Sequence, residues 1–227
     1  MSAPAPIVTL DGPSGSGKGT ISRAVARRAG WHLLDSGALY RLVALAGTER
    51  QLEPDDVEGH ARLAVAMDVH FGTEGNAERI ELEGRDVTEA IRTEEMGQGA
   101  SRVAAWPAVR RALLQRQRAF AELPGLVADG RDMGTVVFPQ AALKIFLTAS
   151  PEERARRRYN QLKQKGSSAS LSALSREIAE RDARDSSRAV APLVPAEDAT
   201  LIDSTSLSIE AVIERVIELG RRRSLWA

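Results

Sequence analysis

Residues 7–20 read Ile-Val-Thr-Leu-Asp-Gly-Pro-Ser-Gly-Ser-Gly-Lys-Gly-Thr, and no other stretch restricts the chain so tightly. An apolar run suited to a buried strand passes into a turn dense in glycine, and the turn opens into a helical pattern over Lys18–Ala29. Such a turn lets backbone N–H groups converge on one point, and the helix start adds partial positive charge there. The arrangement suits phosphate oxygens, and Lys18 stands where a point charge would reach between the β- and γ-phosphates of a nucleoside triphosphate. Gly12, Pro13, Ser14, Gly15, Ser16, Gly17, Lys18, Gly19 and Thr20 are therefore the candidate triphosphate cradle. Because Gly19 follows the lysine, the hydroxyl that often meets Mg²⁺ is displaced to Thr20.

Short apolar runs alternate with longer amphipathic ones, which predicts an α/β fold built on a parallel sheet. The strand candidates are Ile7–Asp11, His32–Asp35, Leu126–Asp129, Leu143–Leu147 and Thr200–Asp203; the clearest helices are Lys18–Ala29, Pro107–Leu123, Pro151–Lys165 and Leu207–Leu219. Pro107 and Pro151 suit a first helical turn, where a missing N–H costs nothing. From Met67 to Val87 the rhythm changes to strand-like alternation, with turns at Gly72–Asn76 and Glu83–Gly84, so a small antiparallel insertion is expected. From Arg154 to Arg188 two charged helices joined at Gly166–Ser168 are expected to form a lid. The division that follows is a core at about 1–62, 105–150 and 190–227, an insertion at about 63–104 and a lid at about 151–189.

Composition narrows the partners. The 227 residues carry no net formal charge and only 4% aromatics, so neither a basic field nor a stacking platform invites nucleic acid. The absence of cysteine leaves no disulfide or thiolate metal site and fits a reducing compartment. No apolar run approaches the roughly 20 residues that span a bilayer, and the first residues lack a secretory pattern. A cytoplasmic monomer without membrane or nucleic-acid partner is expected. Arg far outnumbers Lys, and its planar fork suits phosphate.

Four clusters could form a second, acceptor-binding site. In Leu33-Leu-Asp-Ser-Gly-Ala-Leu-Tyr-Arg41, Ser36 and a helix start could hold an anion with Arg41 nearby; plain N-capping is the bland alternative. In Leu126-Val-Ala-Asp-Gly-Arg-Asp132 a buried strand ends in carboxylates, placing Asp129 like a metal-orienting acid and turning Arg131 and Asp132 to the crevice at the strand ends. The alternative is a tight turn with an internal ion pair. Spacing cannot separate Arg110 from Arg111, Arg116 and Arg118 on one charged helix, nor Ser101 from a surface hydroxyl. Arg181, Asp185 and Arg188 fall at i, i+4 and i+7, on one helical face, either as a salt-bridge ladder or as a clamp on phosphates and a sugar.

These stretches resemble bacterial cytidylate kinases almost end to end, through DGPSGSGKGT, WHLLDSGALYR, LEGRDVTEAIRTEE, LPGLVADGRDMGTVVFP, and ERDARDSSRAVAPLVPA followed by LIDST. The resemblance implies a P-loop NTPase fold with a central five-stranded parallel sheet flanked by helices, a small antiparallel β insertion and a helical lid. It implies ATP as phosphoryl donor and CMP or dCMP as acceptor. Ser36, Arg41 and Arg131, with help from Arg188, would then hold the acceptor phosphate. Ser101, Arg110 and Asp132 would read the pyrimidine, and Arg181 and Asp185 the sugar. Arg157 would stack on adenine, with Arg154 and Arg158 as neighbouring phosphate contacts. Lys18, Arg131 and Arg188 would act on the transferring group. Mg²⁺ would be held mainly by ATP phosphates and water, with Thr20 and Asp129 as further candidate ligands. The acceptor oxygen is already ionised, so no general base is assigned. A P-loop kinase for UMP, AMP or another small acceptor is the nearest rival, and a nucleotide-gated binding module the more distant one.

Overall fold

The computed structural model describes residues 4–74, 77–164, 166 and 169–226. Two compact units emerge. One holds the residues up to Asp35 and from Arg118 onward; the other is Ser36–Gln117.

The first unit contains a five-stranded sheet of β1 (Ile7–Asp11), β2 (His32–Asp35), β6 (Leu126–Gly130), β7 (Leu143–Thr148) and β8 (Thr200–Asp203). Their spatial order is β2-β6-β1-β7-β8 and every pairing is parallel. Parallel strands need both faces covered, which is why β6 and β1 read as nearly unbroken apolar runs. One face carries α1 (Lys18–Ala29) and α8 (Ile209–Arg222), with Ile21 and Val25 of α1 and Val212, Ile213, Val216 and Ile217 of α8 packed into the core. Each such side chain contributes roughly 1.5–3 kcal/mol of burial. Glycine brackets α1: Gly17 precedes it and Gly30 follows it, both left-handed. Ser208 opens α8 by accepting from Ala211 N at 3.1 Å, so the helix begins at Ile209 rather than at Leu207 and runs on to Arg222.

A helical hairpin, α6 (Pro151–Gln164) and α7 (Leu171–Ser186), belongs to the same unit. Ser170 caps α7. Of the expected Gly166–Ser168 joint, Ser167 and Ser168 lie outside the described residues.

The second unit comprises α2 (Ser36–Glu49), α3 (Val57–Ala66), α4 (Glu94–Val103), most of α5 (Pro107–Arg118), and a sheet of β3 (Val69–Glu74), β4 (Ala77–Leu82) and β5 (Arg85–Asp86). The sheet is antiparallel throughout, as the alternation predicts. Glu83 and Gly84 turn it with positive φ, while Gly75 and Asn76 of the other expected turn lie outside the described residues. The helix predicted to reach Leu123 stops at Arg118. Pro124 disfavours helical backbone at Leu123, and Leu123 is exposed. Among the described residues no helix is long and apolar enough to cross a membrane.

Candidate active site

β1 and β6 run side by side in register, Leu10 opposite Asp129 and Asp11 opposite Gly130. Their carboxyl ends therefore deliver the glycine loop and the Asp129–Asp132 segment to the same edge of the sheet, where ligands of open α/β sheets bind. Gly12 has φ +148°, and a Cβ there would lie 2.0 Å from the Leu147 carbonyl oxygen of β7, so only glycine lets the loop leave the strand. Lys18 is buried at the start of α1, its Nζ donating to Pro13 O at 2.9 Å across the loop. Burial, then the charge of Arg131, push its pKa down. Burial pushes the Asp129 carboxyl up, partly offset by Lys18. A Cβ on Gly19 would sit 3.3 Å from Asp129 Oδ2, so this carboxylate lies against the first turn of α1.

Asp11 is also buried. Its Oδ1 accepts from Met133 N and its Oδ2 from Gly134 N, both at 2.8 Å, and those residues begin a π-helical turn over Met133–Val137. Burial outweighs both hydrogen bonds and raises its pKa to about 6. Nothing in the spacing separates Asp11 from the last polar residue of an ordinary strand; only the fold shows both oxygens spent on the turn.

Arg131 donates from Nε to Asp185 Oδ2 at 3.0 Å, and Arg188 pairs with the other oxygen of the same carboxylate. Burial would raise the Asp185 pKa, but Arg131, Arg188 and Arg181 together hold it below the usual carboxylate value. Arg188 is not on the face of α7, which ends at Ser186; it returns to Asp185 from beyond the helix while Leu193 N donates to Asp185 O at 2.9 Å. Arg181 lies in α7 and its charge acts on both Lys18 and Asp185.

Arg154 takes a different place from the expected phosphate contact. Its guanidinium is buried, donating to Ala149 O and to Ser14 O at 3.0 and 3.1 Å, and pairing with Asp182 at 2.6 Å. It ties the loop to α7, a role that nothing in the sequence pattern signals. Arg157 donates to Ser16 O and Ser204 O and pairs with Glu153 at 2.9 Å, joining the loop to the end of β8. Arg158 bonds Gln161 on the exposed side of α6.

In the second unit, Ser36 is the buried first residue of α2, and Arg41 donates to Ile91 O and Thr93 O at 2.8 and 3.1 Å. Burial distinguishes Arg110 from the other arginines of α5: it is buried, while Arg116 is half-buried and Arg111 and Arg118 are exposed. Arg110 donates to Ala104 O at 3.1 Å, and its guanidinium carbon stands 5.7 Å from the centroid of the Tyr40 ring. Ser101 on α4 is 2% exposed, and its hydroxyl has no hydrogen-bond partner among the described residues. A buried unpartnered hydroxyl is uncommon in a merely structural position.

Among the described residues no cluster of three His, Cys, Asp or Glu side chains is built to hold a metal alone. The donors that flank the loop, the Asp129 carboxylate and the Thr20 hydroxyl, are hard oxygens, the chemistry that Mg²⁺ accepts when phosphates and water complete its shell.

The family model described as cytidylate kinase matches residues 8–222. The chain is 63% identical over 219 residues to a cytidylate kinase of Pseudomonas paraeruginosa strain PA7, covering 96% of each chain. It is 62% identical to one of Pseudomonas aeruginosa strain PAO1, covering 98% of each. It is 61% identical to one of Stutzerimonas stutzeri strain A1501, covering 99% of each. A glycine loop, a buried lysine and a strand-end Asp-Gly-Arg-Asp segment, with matches that span nearly the whole sequence, lead to one conclusion: this chain belongs to the cytidylate kinase family.

Proposed function

We propose that this chain transfers the γ-phosphoryl group of ATP to CMP, and to dCMP, giving ADP and CDP or dCDP. The observation that carries the reading is the edge of the parallel sheet where the glycine loop with Lys18 lies beside Asp129, Arg131 and Asp132. Phosphoryl transfer asks the protein for alignment and charge rather than covalent chemistry. The backbone of Gly12–Thr20 holds the triphosphate. Phosphate oxygens beside Lys18 restore the ammonium charge that burial opposes. Ser36, Arg41 and Arg131, with Arg188, hold the acceptor phosphate, and Arg181 and Asp185 the sugar hydroxyls. Ser101, Arg110 and Asp132 read the base. Asp132 accepts from the exocyclic amine of cytosine, where uracil presents a carbonyl. Arg157 stacks on adenine. Asp129 and Thr20 are the residues that would help hold Mg²⁺, which supplies charge neutralisation at the phosphates when bound. Residues about 151–189 act as the lid that excludes water, and about 63–104 enlarge the acceptor region.

A coupled ADP-release assay with CMP, dCMP, UMP, AMP and GMP side by side tests the reading. Turnover is expected to be fastest with CMP and slow without an acceptor. Equal ADP release with and without CMP overturns the kinase reading, and a faster rate with UMP or AMP overturns the acceptor.

A further inference from the structure

Asp132 opens the π-helical turn Met133–Val137, the position from which an aspartate ordinarily caps the first N–H groups of the turn with its own side chain. It makes no such bond. The N–H groups of Met133 and Gly134 are instead taken by Asp11, reaching across from the neighbouring strand. The turn itself lies tight on the sheet: a Cβ at Gly134 would stand 2.9 Å from Thr9 Oγ1 and 3.2 Å from the Lys144 side chain. Asp11 is also the residue directly before Gly12, so one buried carboxylate fixes both where the phosphate loop begins and where the Arg131–Asp132 segment points.

We infer that Asp11 is a positioning residue for acceptor recognition: by capping the turn that follows Asp132, it sets the direction of the Asp132 carboxylate. This inference rests on the reading of Asp132 as a base contact given above. The side-chain choice supports it. Asparagine has the shape of aspartate but only one acceptor oxygen; its NH₂ would face one of the two N–H donors, and that donor would be left for Asp132 to satisfy. Holding an ionised carboxylate in so dry a place is unfavourable to the fold, since burial raises the Asp11 pKa to about 6. A group kept against that cost is better explained by what it positions than by what it stabilises.

The test is steady-state kinetics with CMP and UMP for the wild-type chain, Asp11→Asn, Asp132→Ala and the double variant. Asp11→Asn is expected to raise KM for CMP about tenfold, the value of one charge-assisted hydrogen bond, while KM for ATP moves less than about threefold. The preference for CMP over UMP falls with it. In the Asp132→Ala background the same substitution is expected to cost less than about twofold, because its route to the acceptor is already gone. Parallel rises in both KM values, or a full tenfold cost in that background, overturn the inference. If Asp132→Ala keeps the wild-type preference for CMP, the base contact fails. If Asp132→Ala loses that preference and Asp11→Asn keeps it, only the role of Asp11 fails. Should Asp11→Asn not fold, Asp11→Glu, which keeps the charge but moves it by one methylene, is judged by the same criteria.

Discussion

The edge of the parallel sheet and the α6–α7 hairpin both gather charge, and they do so under opposite electrostatics. At the sheet edge burial prevails: it pushes Asp11 and Asp129 up and Lys18 down, so each charged form is disfavoured where it stands. In the hairpin opposite charges prevail: three arginines overcome the burial of Asp185 and hold its pKa down. The sheet edge is therefore fixed by the backbone, through strand register, glycine geometry and main-chain hydrogen bonds, and it bears an electrostatic cost. The hairpin is fixed by its charges. The phosphoryl transfer proposed above makes use of both, the sheet edge as a wall of preorganised donors that do not relax and the hairpin as an arm, a lid that closes.

The largest effect should come from testing how little the wall can give. In Gly12→Ala the new methyl group meets the Leu147 carbonyl at 2.0 Å, between β1 and β7, which are paired strands. No side chain can move aside to admit it. A loss of at least about 4 kcal/mol is expected, read by denaturant unfolding or by failure to recover folded protein. A variant of near-normal stability would show that the wall is pliable.

Next comes Asp185→Ala, which strips the arm of the carboxylate shared by Arg131 and Arg188. The side chains of Asp185 and Arg188 are 2% and 5% exposed, so their pairing is not screened as a surface pair would be. A loss of about 3 kcal/mol is expected from leaving buried guanidiniums uncompensated. A loss below about 1 kcal/mol would place this cluster with ordinary surface ion pairs and remove the contrast between the two regions.

Lys18→Ala inverts the pattern. Turnover should fall about 10²-fold or more with every acceptor, about 2.7 kcal/mol of transition-state stabilisation. The melting temperature should hold or rise, because burial already disfavours the ammonium. A variant that melts early and keeps its turnover would make Lys18 a structural residue.

How far this was legible in the sequence follows the same divide. The wall was, because its determinants are local: the apolar run Ile7–Asp11, the glycines and Lys18 lie within 14 residues, and all five strands fall within one residue of where their patterns place them. Of the arm, the two helices were legible but not the contacts that tie it to the rest of the unit. Two of its ion pairs link residues that are 28 and 54 positions apart, Arg154 with Asp182 and Arg131 with Asp185, and no helical period encodes those, whereas Arg188 with Asp185 and Arg157 with Glu153 are near neighbours in the chain. The period misplaced Arg188, since a helix that ends at Ser186 cannot carry it. Arg110 and Ser101 were named through family resemblance, and their burial, which distinguishes them physically from their neighbours, is a tertiary property. Asp11 escaped both routes because its partners are the backbone N–H groups of a turn more than 120 residues away.

The smallest effect, and the one that sets the two regions most directly against each other, is their response to acid. Asp11 has a folded pKa near 6 against an ordinary value of 3.8, so between those values the folded chain binds a proton that the unfolded chain does not. The burden of its ionised form is absent below 3.8, grows as pH rises through that window and is complete above 6. Its contribution to stability should therefore improve as pH falls from about 6 to 4, by at most about 1.4 kcal/mol per pH unit. Asp185 has the opposite sign: its folded pKa lies below the ordinary value, so its stabilisation is complete above that value and is lost as pH falls through the lower folded one. Unfolding free energies at pH 7, 5 and 4 for wild type and Asp11→Asn isolate the first slope, which the variant should lack. Asp185→Asn should keep that slope and lose only the decline at lower pH. Identical slopes in wild type and Asp11→Asn would mean that the backbone hydrogen bonds at Asp11 outweigh its burial, and the wall would then be held together by its charges just as the arm is.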